Sequence, residues 1–321
     1  MKRNIIFLIP CTLFLIPFIS AFTWGFFAHK KLNQLAVFTL PPEMITFYKK
    51  NIDCLVAHAT DPDSRRYSVE GEAEKHYIDL DHYGSIPFDS IPKKWKDAVK
   101  KYSEDSLKAY GIVPWQVEKM VYSLSDAFRE MNVDRILYLS ANLGHYIADA
   151  HVPLHTTENY NGQMTNQKGI HGFWESRLPE LFADQWNLFT GRAAYIQNTN
   201  EAIWQIVKES YSEKDSVLKF EAELSATWSA DKKYSYENGK KIFSQEYAEA
   251  YNNKMDGMVN RRMKKAIYSI GSFWYTAWVN AGQPDLTRLL SKEVSDSIKT
   301  ANKETEKMWK TGKSLKGHTE E

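Results

Sequence analysis

Two pairs of residues at helical spacing set what this chain can do. His145 and Asp149 stand four apart, as do His171 and Glu175. On a helix, residues at i and i+4 project from one face, so each pair can grip one metal ion. Imidazole nitrogen with carboxylate oxygen suits zinc better than magnesium or calcium, which prefer all-oxygen shells. Between the pairs Pro153 cannot continue a helix interior, and His155 lies where the chain must turn back. Five candidate ligands therefore fall between positions 145 and 175.

The elements that must position them are read from periodicity. At ~100° per residue, Ile136, Leu139, Leu143, Tyr146 and Ile147 gather on one side of a helix over 134–151, leaving His145 and Asp149 on a separate face. An isolated His/Asp pair is more simply a solvated face, but a second His-x-x-x-Glu pair so close argues against that. His151 lies off the angle of the ligand face. Helical patterns also cover 92–102, 105–110, 115–131, 201–211, 215–224 and one long closing segment, 247–281. Pro41-Pro42 opens a helix over 43–50, as Pro favours the first turn. There is no repeat, no Gly-rich phosphate loop and no strand series, so the expected fold is all-α. The polar loop 156–168 separates two candidate ligands and should border their site.

Further candidates lie upstream. His76 sits in the run His-Tyr-Ile-Asp-Leu-Asp-His-Tyr, with Asp79 and Asp81 placed to orient imidazoles. Asp61 precedes Pro62, which disfavours the α region and leaves its carboxylate free to reach inward; Asp63, two positions on, is the alternative. Arg65 and Arg66 either contact a phosphate or pair with Asp63. His58 and His82 have no comparable pairing and read as structural. The first 23 residues read as a signal peptide: Lys2 and Arg3, an apolar run from Ile5 to Ile19, then small residues. Cleavage after Thr23 would leave Trp24 with a free amine, which chelates a metal together with its own carbonyl, and His29 follows at the start of a helical pattern.

Composition narrows the function classes. The 41 basic and 40 acidic residues give a net charge of +1, which becomes −1 once Lys2 and Arg3 are removed. Bulk attraction to a polyanion is excluded, and any nucleic-acid contact must be local. Of the two cysteines, Cys11 lies in the apolar run, so the mature chain has no internal disulfide and depends on its core and metals. The charged stretch 291–321 lacks an apolar face and reads as a flexible tail following a 24–290 domain. The expected location is outside the cytoplasm, periplasmic or secreted.

Trp24, His29, Asp61, His76, His145, Asp149, His155, His171 and Glu175, in that order, resemble the trinuclear-zinc superfamily of bacterial zinc-dependent phospholipase C and fungal-type single-strand-specific nucleases. The resemblance spans residues 24–281. It is strongest in His-x-x-x-Asp-x-x-x-x-x-His (His145, Asp149, His155), in the following His-x-x-x-Glu, and in Trp at the expected mature terminus. It implies a single-domain helical bundle holding three Zn2+. One would be held by Asp61, His76, His145 and Asp149, and a second by His155, His171 and Glu175. The third would take Trp24 and His29 and share Asp149. The spacing to His76 favours Asp61 over Asp63, and the resemblance gives Asp61 the catalytic task of orienting the attacking water or taking its proton.

The implied activity is hydrolysis of phosphodiesters by metal-activated water. Glu175, where the nuclease branch has Asp, and the compact loop after Thr156 point to phospholipids, with transient contact at a membrane surface and no obligate protein partner. Tyr160, Phe173 and Trp174 would be the rings on which bases stack, were the substrate single-stranded nucleic acid. A third reading, an exported protein with purely structural zinc, predicts closed sites and more often thiolates.

Overall fold

A computed structural model describes residues 25–66, 68–237 and 239–295. The expected signal peptide, the ligand Trp24 and most of the expected tail lie outside these residues. The architecture is all-α, as the periodicity implies, with one small hairpin. Four helices lead: α1 (Gly25–Val37), α2 (Pro42–Lys50), α3 (Ile52–His58) and α4 (Asp61–Arg65). Pro42 stands in the first turn of α2 and Pro62 in that of α4, where a missing N–H costs nothing. Short turns and helices run from Ala73 to Ala109. Next comes a helical hairpin, α5 (Val113–Arg129) and α6 (Val133–Ala150), whose second arm begins where the Asn132 side chain accepts from the Arg135 N–H at 3.1 Å.

Helix α6 is the axis of the fold. It packs against α1, α3, α4 and α5, and from Ser140 to Ala150 every residue is buried. The sequence suggested a core stripe with a separate polar face. The structure buries both, as in a helix at the centre of a large core, so His145 and Asp149 face other protein groups rather than water. Gly144 makes the approach of α1 possible: a Cβ built there would lie 2.2 Å from Asn33 Oδ1. Trp274 Nε1–H adds a further tie by donating to the Ser140 carbonyl at 2.9 Å.

After α6 the chain folds back through Pro153–Thr156, forms the loop bordering the site, and enters Ile170–Gly172, which continues as a π-helical turn, Phe173–Arg177. Besides short turns such as Leu178–Phe182 and Ala230–Lys233, the remaining helices are α7 (Thr199–Ser225), α8 (Gln245–Lys254) and α9 (Met258–Asn280). Two expectations change here. Segments 201–211 and 215–224 are one continuous helix, because the polar stretch between them contains neither Gly nor Pro. The long closing helix divides, because Asp256 and Gly257 adopt φ of +48° and +70°, the left-handed conformation that ends helices. Between α7 and α8 lies an antiparallel pair the pattern did not signal, β1 (Tyr234–Glu237) and β2 (Lys240–Phe243), with Tyr234 opposite Phe243. Two strands of four residues on a helical body leave the fold class unchanged. No helix of the described residues is long and apolar enough to cross a membrane.

Candidate metal centre

His145 is the hub of a first cluster. Its Nδ1–H donates to the Ala59 carbonyl at 2.9 Å, which leaves Nε2 as the free lone pair of the neutral ring. That Nε2 lies 3.1 Å from His76 Nδ1, 3.2 Å from Asp149 Oδ2 and 3.5 Å from Asp63 Oδ1. Asp149 faces two ways: Oδ2 is 2.9 Å from His76 Nδ1, and Oδ1 is 3.3 Å from His29 Nε2. The His29 ring stacks on that of His145, centroids 3.8 Å apart.

His155 anchors a second cluster by the same device. Its Nδ1–H donates to the His76 carbonyl at 2.6 Å, turning Nε2 toward Glu175 Oε2 at 3.2 Å and His171 Nε2 at 3.1 Å. Glu175 Oε1 completes the group 3.0 Å from His171 Nε2. His171 lies in the turn just before the π-helical segment and Glu175 inside it, a local widening that recurs at functional sites. Asn161, buried in the bordering loop, accepts from the backbone N–H of Gly169 at 2.9 Å and of His171 at 3.4 Å, which fixes the entry to this turn.

These donor sets fit zinc. A tetrahedral Zn2+ with bonds of ~2.0–2.1 Å has ligand atoms about 3.3 Å apart, and the donors of both clusters stand 2.9–3.7 Å from one another. Among the described residues three groups of donors converge: His29, His145 and Asp149; Asp63, His76 and His145; His155, His171 and Glu175. All are nitrogen and oxygen donors, and all but Asp63 are fully buried.

Without a cation the clusters hold protons. Burial works against charging His155, but Asp149 and Glu175 outweigh it and push the imidazole up to about 9. Burial likewise opposes charge on His145, yet Asp149 and Asp63 raise it to about 8. Burial would raise Asp149, but His145 and His155 hold it well below the usual carboxylate range, and His171 and His155 similarly bring Glu175 down to about 2. His76 goes the other way, lowered to about 4 by burial against the pull of Asp149. A divalent cation in each cluster would take over the balancing that these protons perform.

The structure brings together His29, His76, His145, Asp149, His155, His171 and Glu175. Asp61 is the exception among the expected ligands it describes. On helix α4, residues two apart point in nearly opposite directions, so Asp61 and Asp63 cannot both face the cluster. Asp61 turns to His58, with Oδ2 2.6 Å from Nδ1, and Asp63 takes the place expected of it. Asp79 and Asp81 do not orient His145 or His155, whose Nδ1 protons go to backbone carbonyls. Asp81 instead accepts from the Glu158 N–H at 2.8 Å. Arg66 stands 3.8 Å from Asp63, while Arg65 reaches away to Glu72, Asn142 and Tyr138. His151 is separate from the cluster, its Nδ1–H given to the Ile147 carbonyl at 2.7 Å.

An apolar groove of about 670 Å³, lined by Leu35, Phe38, Trp186, Leu188 and Phe189, lies along the face of α1 opposite His29, and none of the clustered donors lines it. The family model for zinc dependent phospholipase C matches residues 28–238, more than half of the chain and a range within which every expected ligand but Trp24 lies. No curated protein matches the chain. With that match and three groups of His, Asp and Glu able to hold the metal, the chain belongs to the zinc-dependent phospholipase C family and is a zinc-dependent phosphoric-ester hydrolase.

Proposed function

We propose that the phosphodiester this chain hydrolyses is a phospholipid's, cut on the glycerol side to leave a diacylglycerol and a phosphorylated head group. The observation that carries this reading is the fate of the aromatic rings. Phe173 and Trp174, on which bases would stack, are each 2% exposed. Phe173 is committed to stacking with Phe243 at 3.9 Å and Tyr251 at 5.0 Å. Base stacking is a main source of affinity in single-strand binding, and the chain's near-neutral charge adds no compensating attraction. One observation favours the nuclease alternative: Tyr160 is partly exposed, 5.8 Å from the His171 ring.

In this reading His29, Asp63, His76, His145, Asp149, His155, His171 and Glu175 hold zinc, joined by the amine and carbonyl of Trp24. Zinc supplies Lewis acidity that activates water at neutral pH and offsets charge on a phosphoryl oxygen. Asp63 is the one partly exposed carboxylate among the clustered donors, which suits it to orient the water and accept its proton, the task expected of Asp61. Arg66, close by, adds positive charge where the phosphate arrives. The water oxygen forms the new bond to phosphorus as the bond to the glycerol oxygen breaks, and the proton that Asp63 takes from the water is returned to the departing alkoxide. The reaction takes place outside the cytoplasm, after removal of residues 1–23.

Phosphatidylcholine and single-stranded DNA offered to the same purified mature chain separate the two substrates. Turnover of the lipid, lost on chelation and restored by zinc, is expected; turnover of DNA alone would reverse the assignment.

A further inference from the structure

Behind the first cluster lies a buried carboxylate that none of the three ligand groups uses. Glu72 is 2% exposed. Its Oε1 stands 3.9 Å from His76 Nε2, on the side of the ring away from the cluster. His76 directs Nδ1 at Asp149 and His145, and its Nε2 has no hydrogen-bond partner among the described residues. Glu72 is itself fixed from three sides. The Tyr146 hydroxyl donates to Oε1, Arg65 Nη2 donates to the same oxygen at 3.1 Å, and Lys75 Nζ donates to Oε2 at 2.8 Å. Arg65 continues the network to Asn142 Oδ1 at 2.6 Å and the Tyr138 hydroxyl at 2.9 Å.

Tyr138, Asn142 and Tyr146 follow at i, i+4 and i+8 on α6, forming a stripe beside the one that carries His145 and Asp149. The network thus joins α4, which bears Asp63, to the turn before His76 and to α6. These are the elements that supply the first cluster. We propose that Glu72 is a positioning residue for this metal centre, accepting the Nε2 proton of His76 and so holding the ring in the tautomer that offers its Nδ1 lone pair to the cation. Metal-bound imidazoles commonly give their second N–H to a carboxylate in this way. A separation of 3.9 Å is too long for a hydrogen bond. The 2.9 Å between His76 Nδ1 and Asp149 Oδ2 is, however, shorter than the about 3.3 Å expected across a shared zinc. A cation held between these two donors would set them further apart, and a shift of the His76 ring toward Glu72 would close the 3.9 Å gap.

The proposal rests on the zinc-centre reading and is independent of which phosphodiester is cut. Its test is titration of the chelator-stripped chain with zinc alone, in wild type, Glu72→Gln and Tyr146→Phe, with melting temperatures of the stripped and loaded forms. Tyr146→Phe keeps the carboxylate but removes one of its anchors, and serves if Glu72→Gln does not fold. The positioning role predicts a loss of about 10–100-fold in affinity for one zinc in Glu72→Gln and a smaller loss in Tyr146→Phe. It also predicts that the gain in melting temperature on loading shrinks in both. A purely structural role would lower the stripped and loaded forms together and leave affinity within twofold of wild type, and that result overturns the proposal. A wild-type chain that takes up no zinc would overturn the centre itself.

Discussion

Replacing Asp149 with Asn removes one negative charge while keeping the shape of the side chain, and it does so where two ligand groups meet. Asp149 Oδ1 is 3.3 Å from His29 and Oδ2 is 2.9 Å from His76 and 3.2 Å from His145. Changing a residue that only orients a ligand costs ~10–100-fold in metal affinity, and Asp149 is a donor itself. A loss of at least about 100-fold, or about 2.7 kcal/mol, is therefore expected at each of the two groups. The same change alters the protons exchanged. Asp149 is the foremost of the influences raising both His155, at about 9, and His145, at about 8. At pH 7 both rings carry a second proton in the stripped wild type, and both must lose it to ligate, so loading should release roughly two protons from these rings, besides that of the terminal amine. In Asp149→Asn the number should fall to roughly one, since Glu175 still supports His155. Calorimetric titration with zinc in two buffers of different ionisation enthalpy measures both quantities. Near-normal affinity with an unchanged proton count would refute the shared position of Asp149.

Exchanging Asp63 and Asp61 separately for Asn should split zinc binding from folding. Asp63→Asn is expected to lose zinc and activity with the fold intact, and Asp61→Asn to lower the melting temperature while zinc content holds; the opposite pattern would restore Asp61 as the ligand. Apparent zinc affinity should climb with pH between about 6 and 8, because His145 and His155 must shed protons held with raised affinity, and a flat profile would contradict this. For the stripped chain the sign reverses. Imidazoles raised to about 8 and about 9 stabilise the fold fully below the unfolded value of ~6.5 and lose that contribution as pH rises through 8 to 9. Its melting temperature should therefore decline over that interval, and again in acid as Glu175 and Asp149 are forced to protonate. Gly144→Ala should destabilise by about 1–3 kcal/mol, because the added Cβ meets Asn33 Oδ1 at 2.2 Å; a melting curve matching wild type would show that α1 can retreat freely.

The candidate ligands that the sequence exposed most clearly are those whose partners lie one helical turn away. His145 with Asp149 and His171 with Glu175 are related by local geometry, which a spacing of four encodes directly. The all-α class followed from the same periodicity. Asp61 against Asp63 is a different kind of question. Both sit on one short helix, and which carboxylate faces inward depends on the rotation of that helix against α6, a tertiary quantity that residue spacing does not contain. The break expected within 199–225 and the one missed within 247–281 had a partial local signal, since the stretch 212–214 contained no breaker and Gly257 marked a possible stop.

The groups that aim the imidazoles were the least legible, for a reason that bears on how such centres are read. His145 and His155 are oriented by the carbonyls of Ala59 and His76, and every residue has a carbonyl, so no side-chain pattern can advertise the role. Glu72 does have a distinctive side chain. It stood among the charged residues of a polar stretch, where the ordinary reading is a solvated loop. What sets it apart is that Arg65, Lys75 and Tyr146 converge on it in a buried position, and an ionised carboxylate is retained there only when such partners offset its desolvation. A buried acid surrounded by donors, one imidazole behind a ligand cluster, is thus visible only once the chain is folded.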